Sequence, residues 1–253
     1  MRRNEPDRGD VNPDGGEARP SFRGARLCGC LAECSPEEFP AWLQHPEVDL
    51  VEWRMDMFAG RSGPEEMGLF LRALSTGPRL PVIATNRPLR EMGAFSGKED
   101  LRLGMLEEAA KSGAEWIDLE HDAGEGSLSA FREAGAKVLL SWHSPMGTPS
   151  REILRAKLES MSETGADALK IATLARTDED NLRVLELIPM AGKRFGIDLV
   201  AFCMGPAGRW SRVVSVLLGS PWTYAQFEGR LATAPGQLTV PEMRELIRRI
   251  AGN

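Results

Sequence analysis

Two short apolar stretches, each with an ionisable residue in it, constrain this chain more than any other feature. They are KVLLSWHSP (Lys137–Pro145) and GADALKIA (Gly165–Ala172), joined by a segment with the spacing of an amphipathic helix. Both are short, bounded by turn residues, and read as buried strands, so the three pieces form one βαβ unit with parallel strands. An ammonium group is costly inside an apolar strand, so Lys170 needs a reason to be there. Side chains alternate along a strand, so Lys170 shares a face with Ala168 and Ala172 while Leu169 and Ile171 point the other way. On the preceding strand Ser141 and His143 share a face opposite Val138, Leu140 and Trp142. If the strands are parallel neighbours, His143 and Lys170 open into one cavity, with small residues leaving room beside the amine.

The same alternation repeats along the chain. Strands are expected at 25–31, Asp49–Asp56, Leu80–Arg87, Ala114–His121, the two stretches above, Ile197–Met204 and Ser220–Phe227. Helices are expected from a Ser35 cap to about residue 44, over Pro64–Leu74, Lys98–Ser112, near 127–134, between the two central strands, over Thr177–Ile188, Pro206–Leu217 and Pro241–Ile250. Ser35 with Pro36 and Glu38 has the form of a capping box. Strand–helix alternation over this length predicts a single α/β domain, a closed (β/α)8 barrel spanning residues 23–253. An open doubly wound sheet is the competing fold, but no strand runs into a Gly-x-Gly-x-x-Gly turn. Residues 1–22 are rich in charge, Gly and Pro and read as a disordered leader, with no apolar stretch of the kind a secretory signal needs.

Composition excludes several classes of function. A net charge of −6 and a pI near 5.3 argue against a nucleic-acid groove or an anionic membrane surface. No apolar run approaches the roughly 20 residues of a membrane span. Cys28, Cys30 and Cys34 cluster, but two of them share a strand face and no histidine lies nearby. They are expected to be reduced thiols in a cytoplasmic protein, with no metal.

In a barrel the C-terminal strand ends form the site. Those ends carry Glu52, Arg54 and Asp56, then Thr85 and Arg87, Asp118 and Glu120, His143, and Lys170. The carboxylates and arginines read either as a buried ion-pair lattice or as a site for an anionic substrate. A desolvated lysine near other cations becomes a nucleophile toward ketones, and a neighbouring histidine can move the proton that the iminium acidifies. The residues therefore suggest cofactor-free imine chemistry on a small carbonyl acid.

The stretches EWRMD (Glu52–Asp56), ATNRPLRE (Ala84–Glu91), WIDLEH (Trp116–His121), SWHS (Ser141–Ser144), GADALKIA, MGPAGRWSR (Met204–Arg212), GSPWTYA (Gly219–Ala225) and APGQL (Ala234–Leu238) together resemble the type I 3-dehydroquinate dehydratase family. The resemblance covers about residues 25–250 and implies dehydration of 3-dehydroquinate in the shikimate pathway, without metal or cofactor, by a cytoplasmic homodimer. It implies that Lys170 forms the imine, that His143 is the general base, and that Glu91 orients the histidine. Glu52, Arg54, Arg87 and Arg212 would hold the substrate's hydroxyls and carboxylate. Thr233 and Gln237 would belong to a loop closing over it. Three positions depart from the family pattern: Met92 where glycine is common, Thr233 where serine is usual, and Ser144-Pro145 after the histidine. Another Schiff-base lyase or aldolase on the same fold, or a non-catalytic binder of a hydroxy or keto acid, remains an alternative.

Overall fold

The computed structural model describes residues 25–59, 63–77, 79–123 and 127–251; the expected leader lies outside them. Eight parallel strands follow one another around a barrel: β1 (Arg26–Leu31), β2 (Leu50–Arg54), β3 (Val82–Thr85), β4 (Trp116–Glu120), β5 (Lys137–Ser144), β6 (Ala168–Leu174), β7 (Leu199–Met204) and β8 (Trp222–Gln226). Hydrogen-bonded neighbours run in the order β7-β6-β5-β4-β3-β2-β1-β8. The first and last strands therefore pair, and the doubly wound alternative is excluded. Between the strands lie α1 (Phe39–Trp42), α2 (Met55–Ala59), α3 (Pro64–Leu74), α4 (Glu99–Lys111), α5 (Ser127–Glu133), α6 (Arg151–Ser162), α7 (Asp178–Leu185), α8 (Leu187–Met190) and α9 (Ser211–Leu217), with α10 (Val240–Ala251) at the end.

Alternation along each strand sorts side chains into two cores. Outward residues such as Val51, Trp53, Ile117, Leu140, Leu169 and Ile171 pack against the helices. Inward residues, among them Cys28, Leu50, Ile83, Leu139, Ala168 and Trp222, fill the barrel. Trp116 and Trp222 meet edge to face at 5.3 Å at the N-terminal end of their strands and plug that end. The opposite end is left to polar side chains.

Closure is incomplete where a full barrel was expected. Among the described residues no ladder joins β7 to β8. Two serines replace it. Ser220 Oγ accepts from the Ala201 N–H and donates to the Leu199 carbonyl, and Ser211 Oγ accepts from the Cys203 N–H at 2.8 Å. The Leu199 carbonyl and the Ala201 and Cys203 N–H groups, which face the gap, thus find partners without a neighbouring strand.

Local boundaries differ from expectation for identifiable reasons. β2 stops at Arg54 and α2 begins at once, so Asp56 sits in a helical first turn. The Ser35 cap does form, with Ser35 and Glu38 exchanging bonds, but only a turn follows before the four residues of α1. The helix expected to end near Ile188 breaks after Leu185 and, past Pro189, widens into a π-turn over Ala191–Phe195.

Candidate active site

Polar residues from four strands, two loops and α9 converge on one pocket of about 580 Å³, open mouth included. Glu52, Arg54, Arg87, Glu91, His143, Lys170, Arg212, Thr233 and Gln237 all line it. Parallel register explains the central pair. Ser141 stands beside Lys170 and His143 beside Ala172, so the imidazole lies one inward position above the amine on the next strand.

Lys170 is buried, and its Nζ lies 3.0 Å from Asp118 Oδ2, 3.6 Å from Glu52 Oε1 and 4.3 Å from the centre of the Tyr224 ring. Cations were expected beside it, yet its nearest charges are carboxylates. Glu52 is held in turn by the Thr85 hydroxyl at 3.0 Å.

His143 Nδ1 is 2.7 Å from Glu91 Oε2, which leaves Nε2 for the pocket. Burial, reinforced by the charges of Arg87 and Lys170, pushes the imidazole well below its ordinary value. Burial also raises the Glu91 carboxyl to about 7, although Arg87 pulls the other way. At neutral pH the imidazole is therefore an uncharged base.

The lattice reading holds for the other carboxylates. Arg87 reaches Asp118 and Glu120 at 2.6 Å each and donates to Ser141 Oγ at 2.7 Å. Glu120 also meets Arg102 at 2.5 Å, and Arg102 continues to Glu99 at 2.6 Å. Burial acts to raise Asp118, but Arg87, Lys170 and His143 outweigh it and hold the carboxyl far below the usual range. A second pair, Arg54 with Asp56, is bidentate at 2.9 and 2.8 Å. Asp56 also accepts from the Ala94 N–H, and Arg54 donates to the Thr233 carbonyl at 3.0 Å. The loop bearing Glu91 is thereby linked to the loop after β8.

Arg212, although on a helix, is not a solvated surface charge. It is 1 % exposed, stacks at 4.3 Å over Phe202, and among the described residues has no carboxylate within 4 Å. Burial lowers its guanidinium to about 10. The loop after β8 crosses the mouth. Gln237 Oε1 accepts from Thr233 N–H at 2.8 Å and from its hydroxyl at 3.2 Å, while Gln237 Nε2 donates to Cys30 Sγ. Pro235 accepts from the Gly205 N–H at 3.1 Å. A β-carbon on Gly236 would collide with the Gly205 carbonyl, so only glycine lets the two loops meet this closely.

A family model for type I 3-dehydroquinase matches residues 28–253. The chain belongs to the type I 3-dehydroquinase family. It is 50 % identical over 224 residues to the 3-dehydroquinate dehydratase of Syntrophobacter fumaroxidans, covering 87 % of this chain and 94 % of that one. With the 3-dehydroquinate dehydratase of Desulfotalea psychrophila it shares 35 % identity over 229 residues, covering 88 % and 97 %. The solved 3-dehydroquinate dehydratase of Geobacillus kaustophilus superposes with a TM-score of 0.80 at 25 % identity, covering 91 % of this chain and 92 % of that one.

Within this type I 3-dehydroquinase scaffold, Asp118 and Asp56, expected at the strand ends as lattice or site carboxylates, contact the nine expected residues, and Tyr224 and Arg102, for which no role was expected, contact or support them. Arg102 left a legible signal: it precedes Leu106, Ala109 and Ala110 on the buried stripe of α4. Where the chain departs from the family pattern, Thr233 keeps its hydroxyl inside the lid and Ser144 donates to the Gly147 carbonyl. Among the described residues no three His, Cys, Asp or Glu side chains are grouped to hold a metal ion, and the four cysteines are free. No described helix is long and apolar enough to cross a membrane.

Proposed function

We propose that the chain is a hydro-lyase that dehydrates 3-dehydroquinate to 3-dehydroshikimate through an imine on Lys170. One observation carries the reading: a buried amine and an uncharged histidine on neighbouring strands share a pocket with an arginine that, among the described residues, has no carboxylate of its own. The family and its relatives' names supply the substrate.

Arg212 binds the substrate carboxylate, for which a guanidinium with donors to spare is suited. Arg54 and Arg87 are already committed to Asp56, Asp118 and Glu120, so they present these carboxylates as well as their own charge to the ring hydroxyls, alongside Glu52. Lys170 Nζ gives up a proton and adds to the ring ketone, and the carbinolamine takes a proton back as water leaves, so that ammonium and ketone become iminium and water. That positive charge acidifies the neighbouring C2–H bond, and His143 Nε2 takes the proton while Glu91 stabilises the imidazolium across its 2.7 Å contact. The enamine expels the C1 hydroxyl, which leaves as water with the proton returned by His143. A second water hydrolyses the conjugated iminium and frees the amine. Thr233 and Gln237, on the crossing loop, keep other water out during these steps. The same reading has the enzyme act in the shikimate pathway, without metal or cofactor, as a cytoplasmic homodimer, and sedimentation measures the last point.

Borohydride reduction in the presence of 3-dehydroquinate, followed by intact mass, tests the imine. A single adduct is expected in the native protein and none in Lys170→Ala. An adduct in that variant, or none in either folded protein, sinks the mechanism. Conjugated-enone absorbance in the product separates dehydration from the carbon–carbon cleavage of an aldolase.

A further inference from the structure

Met92 is the only non-glycine residue with positive φ among the described residues, at φ 61° and ψ 26°. Left-handed backbone of this kind is strained for a large side chain and persists where the surroundings dictate it. Here they do. The turn is held by Gly93 N–H to Pro88 O, Leu89 N–H to Phe95 O and Phe95 N–H to Arg87 O, and by Ala94 N–H to Asp56. The adjacent glycine does not relieve it. A β-carbon on Gly93 would collide with the Arg87 backbone, so that glycine is fixed by space, while the methionine occupies the position whose dihedrals favour glycine.

The side chain so placed lines the pocket next to Glu91 and is 48 % exposed. Its surroundings are lopsided. The strands and loops of β6 to β8 supply apolar lining, notably Phe202, Met204 and Tyr224, whereas those of β2 to β5 supply charged and polar groups and, among the described residues, one apolar side chain, Met92.

Taking 3-dehydroquinate as the substrate, as proposed above, we infer that Met92 is a specificity-determining residue whose thioether packs on the face of the bound carbocycle opposite Phe202 and Met204. The unbranched, polarisable side chain can follow a puckered ring as it flattens toward product. Strain is retained at this position because glycine would leave that face of the ring in water.

Three variants test it by KM, kcat and, in a Lys170→Ala background that binds without turnover, the Kd of 3-dehydroquinate. Met92→Ala keeps the strain and removes the contact, so KM and Kd are expected to rise about five- to tenfold, the cost of exposing a partly buried side chain, with kcat within about twofold. Met92→Leu restores the apolar contact and both constants. Met92→Gly relieves the strain: Tm holds or rises by up to about 3 °C, while KM rises as in Met92→Ala. A merely structural role would move stability and affinity in the same direction. Wild-type KM and Kd in Met92→Ala, or a Leu variant as weak as the Ala variant, overturns the inference and leaves the dehydratase reading intact. A native protein that neither binds nor turns over 3-dehydroquinate overturns both.

Discussion

Between Glu91 and His143 the pocket holds a coupled pair whose two groups are pushed in opposite directions, the carboxyl up to about 7 and the imidazole well down. Such a pair titrates as a unit. The base form of His143 therefore survives to lower pH than in a free imidazole, whose value is about 6.5. The acid limb of kcat is expected below that pH, and a limb at or above it would remove His143 from the base role. Glu91→Gln keeps the hydrogen bond but loses the charge that stabilises the imidazolium, so kcat should fall about 10- to 100-fold with borohydride trapping preserved. Single residues also show where sequence reading stops. Lys170, His143 and Arg212 were legible because their residue types break an apolar pattern or complete a motif. Tyr224 was not, because a tyrosine in a strand looks like ordinary core. The left-handed turn at Met92 was invisible for a different reason: methionine carries no signal for positive φ, and the glycine beside it is there for space.

At the level of elements, strand positions were readable because inward and outward faces have different chemistry. Strand ends and helix breaks were less so. The switch from β2 to α2 at Met55, and the π-turn after Pro189, depend on what packs nearby more than on local pattern. The seam between β7 and β8 shows the same limit. Ser211 reads as part of a substrate-binding motif, yet its hydroxyl accepts from β7 and donates to the Gly208 carbonyl at 2.6 Å. Ser211→Ala and Ser220→Ala each leave a buried Ala201 or Cys203 amide without its partner. Each should destabilise by about 1–3 kcal/mol in denaturant titrations, against little change for Ser160→Ala on the α6 surface. Equal midpoints for all three would mean that water serves the seam as well as the serines do.

For the molecule as a whole, the buried lattice sets the response to acid. Asp118, depressed in the folded state, contributes stability that is present above the unfolded value of about 3.9 and lost as pH falls below it. His143, also depressed, loses stability as pH falls through about 6.5, while Glu91, raised to about 7, gains it as pH falls from there toward about 4.3. These last two offset, so the site is expected to leave stability nearly level between about pH 6 and 5. Asp118→Asn takes from Arg87 one of its two close carboxylates and leaves Lys170 with only the longer contact to Glu52, and should cost up to about 3–5 kcal/mol at pH 7. The gap between variant and native protein should then narrow below about pH 4; a gap independent of pH would show that the Asp118 charge does not matter to folding.

The incomplete closure of the barrel has a mechanical meaning. Arg212 follows β7, and the loop of Thr233 and Gln237 follows β8. The two pieces that touch across the pocket mouth therefore stand on either side of the boundary that, among the described residues, has no ladder. Parting them breaks the Gly205–Pro235 bond and the long Arg212–Pro235 contact of 3.5 Å, and leaves every ladder bond of the sheet in place. On the proposed function, the motion that admits substrate and releases product is expected at this seam, whereas β4, β5 and β6, which carry Asp118, His143 and Lys170, are held by ladders on both edges. In native-state exchange the Gly205 amide should give up its proton well before those of β5 and β6, marking a barrel that breathes along a single line.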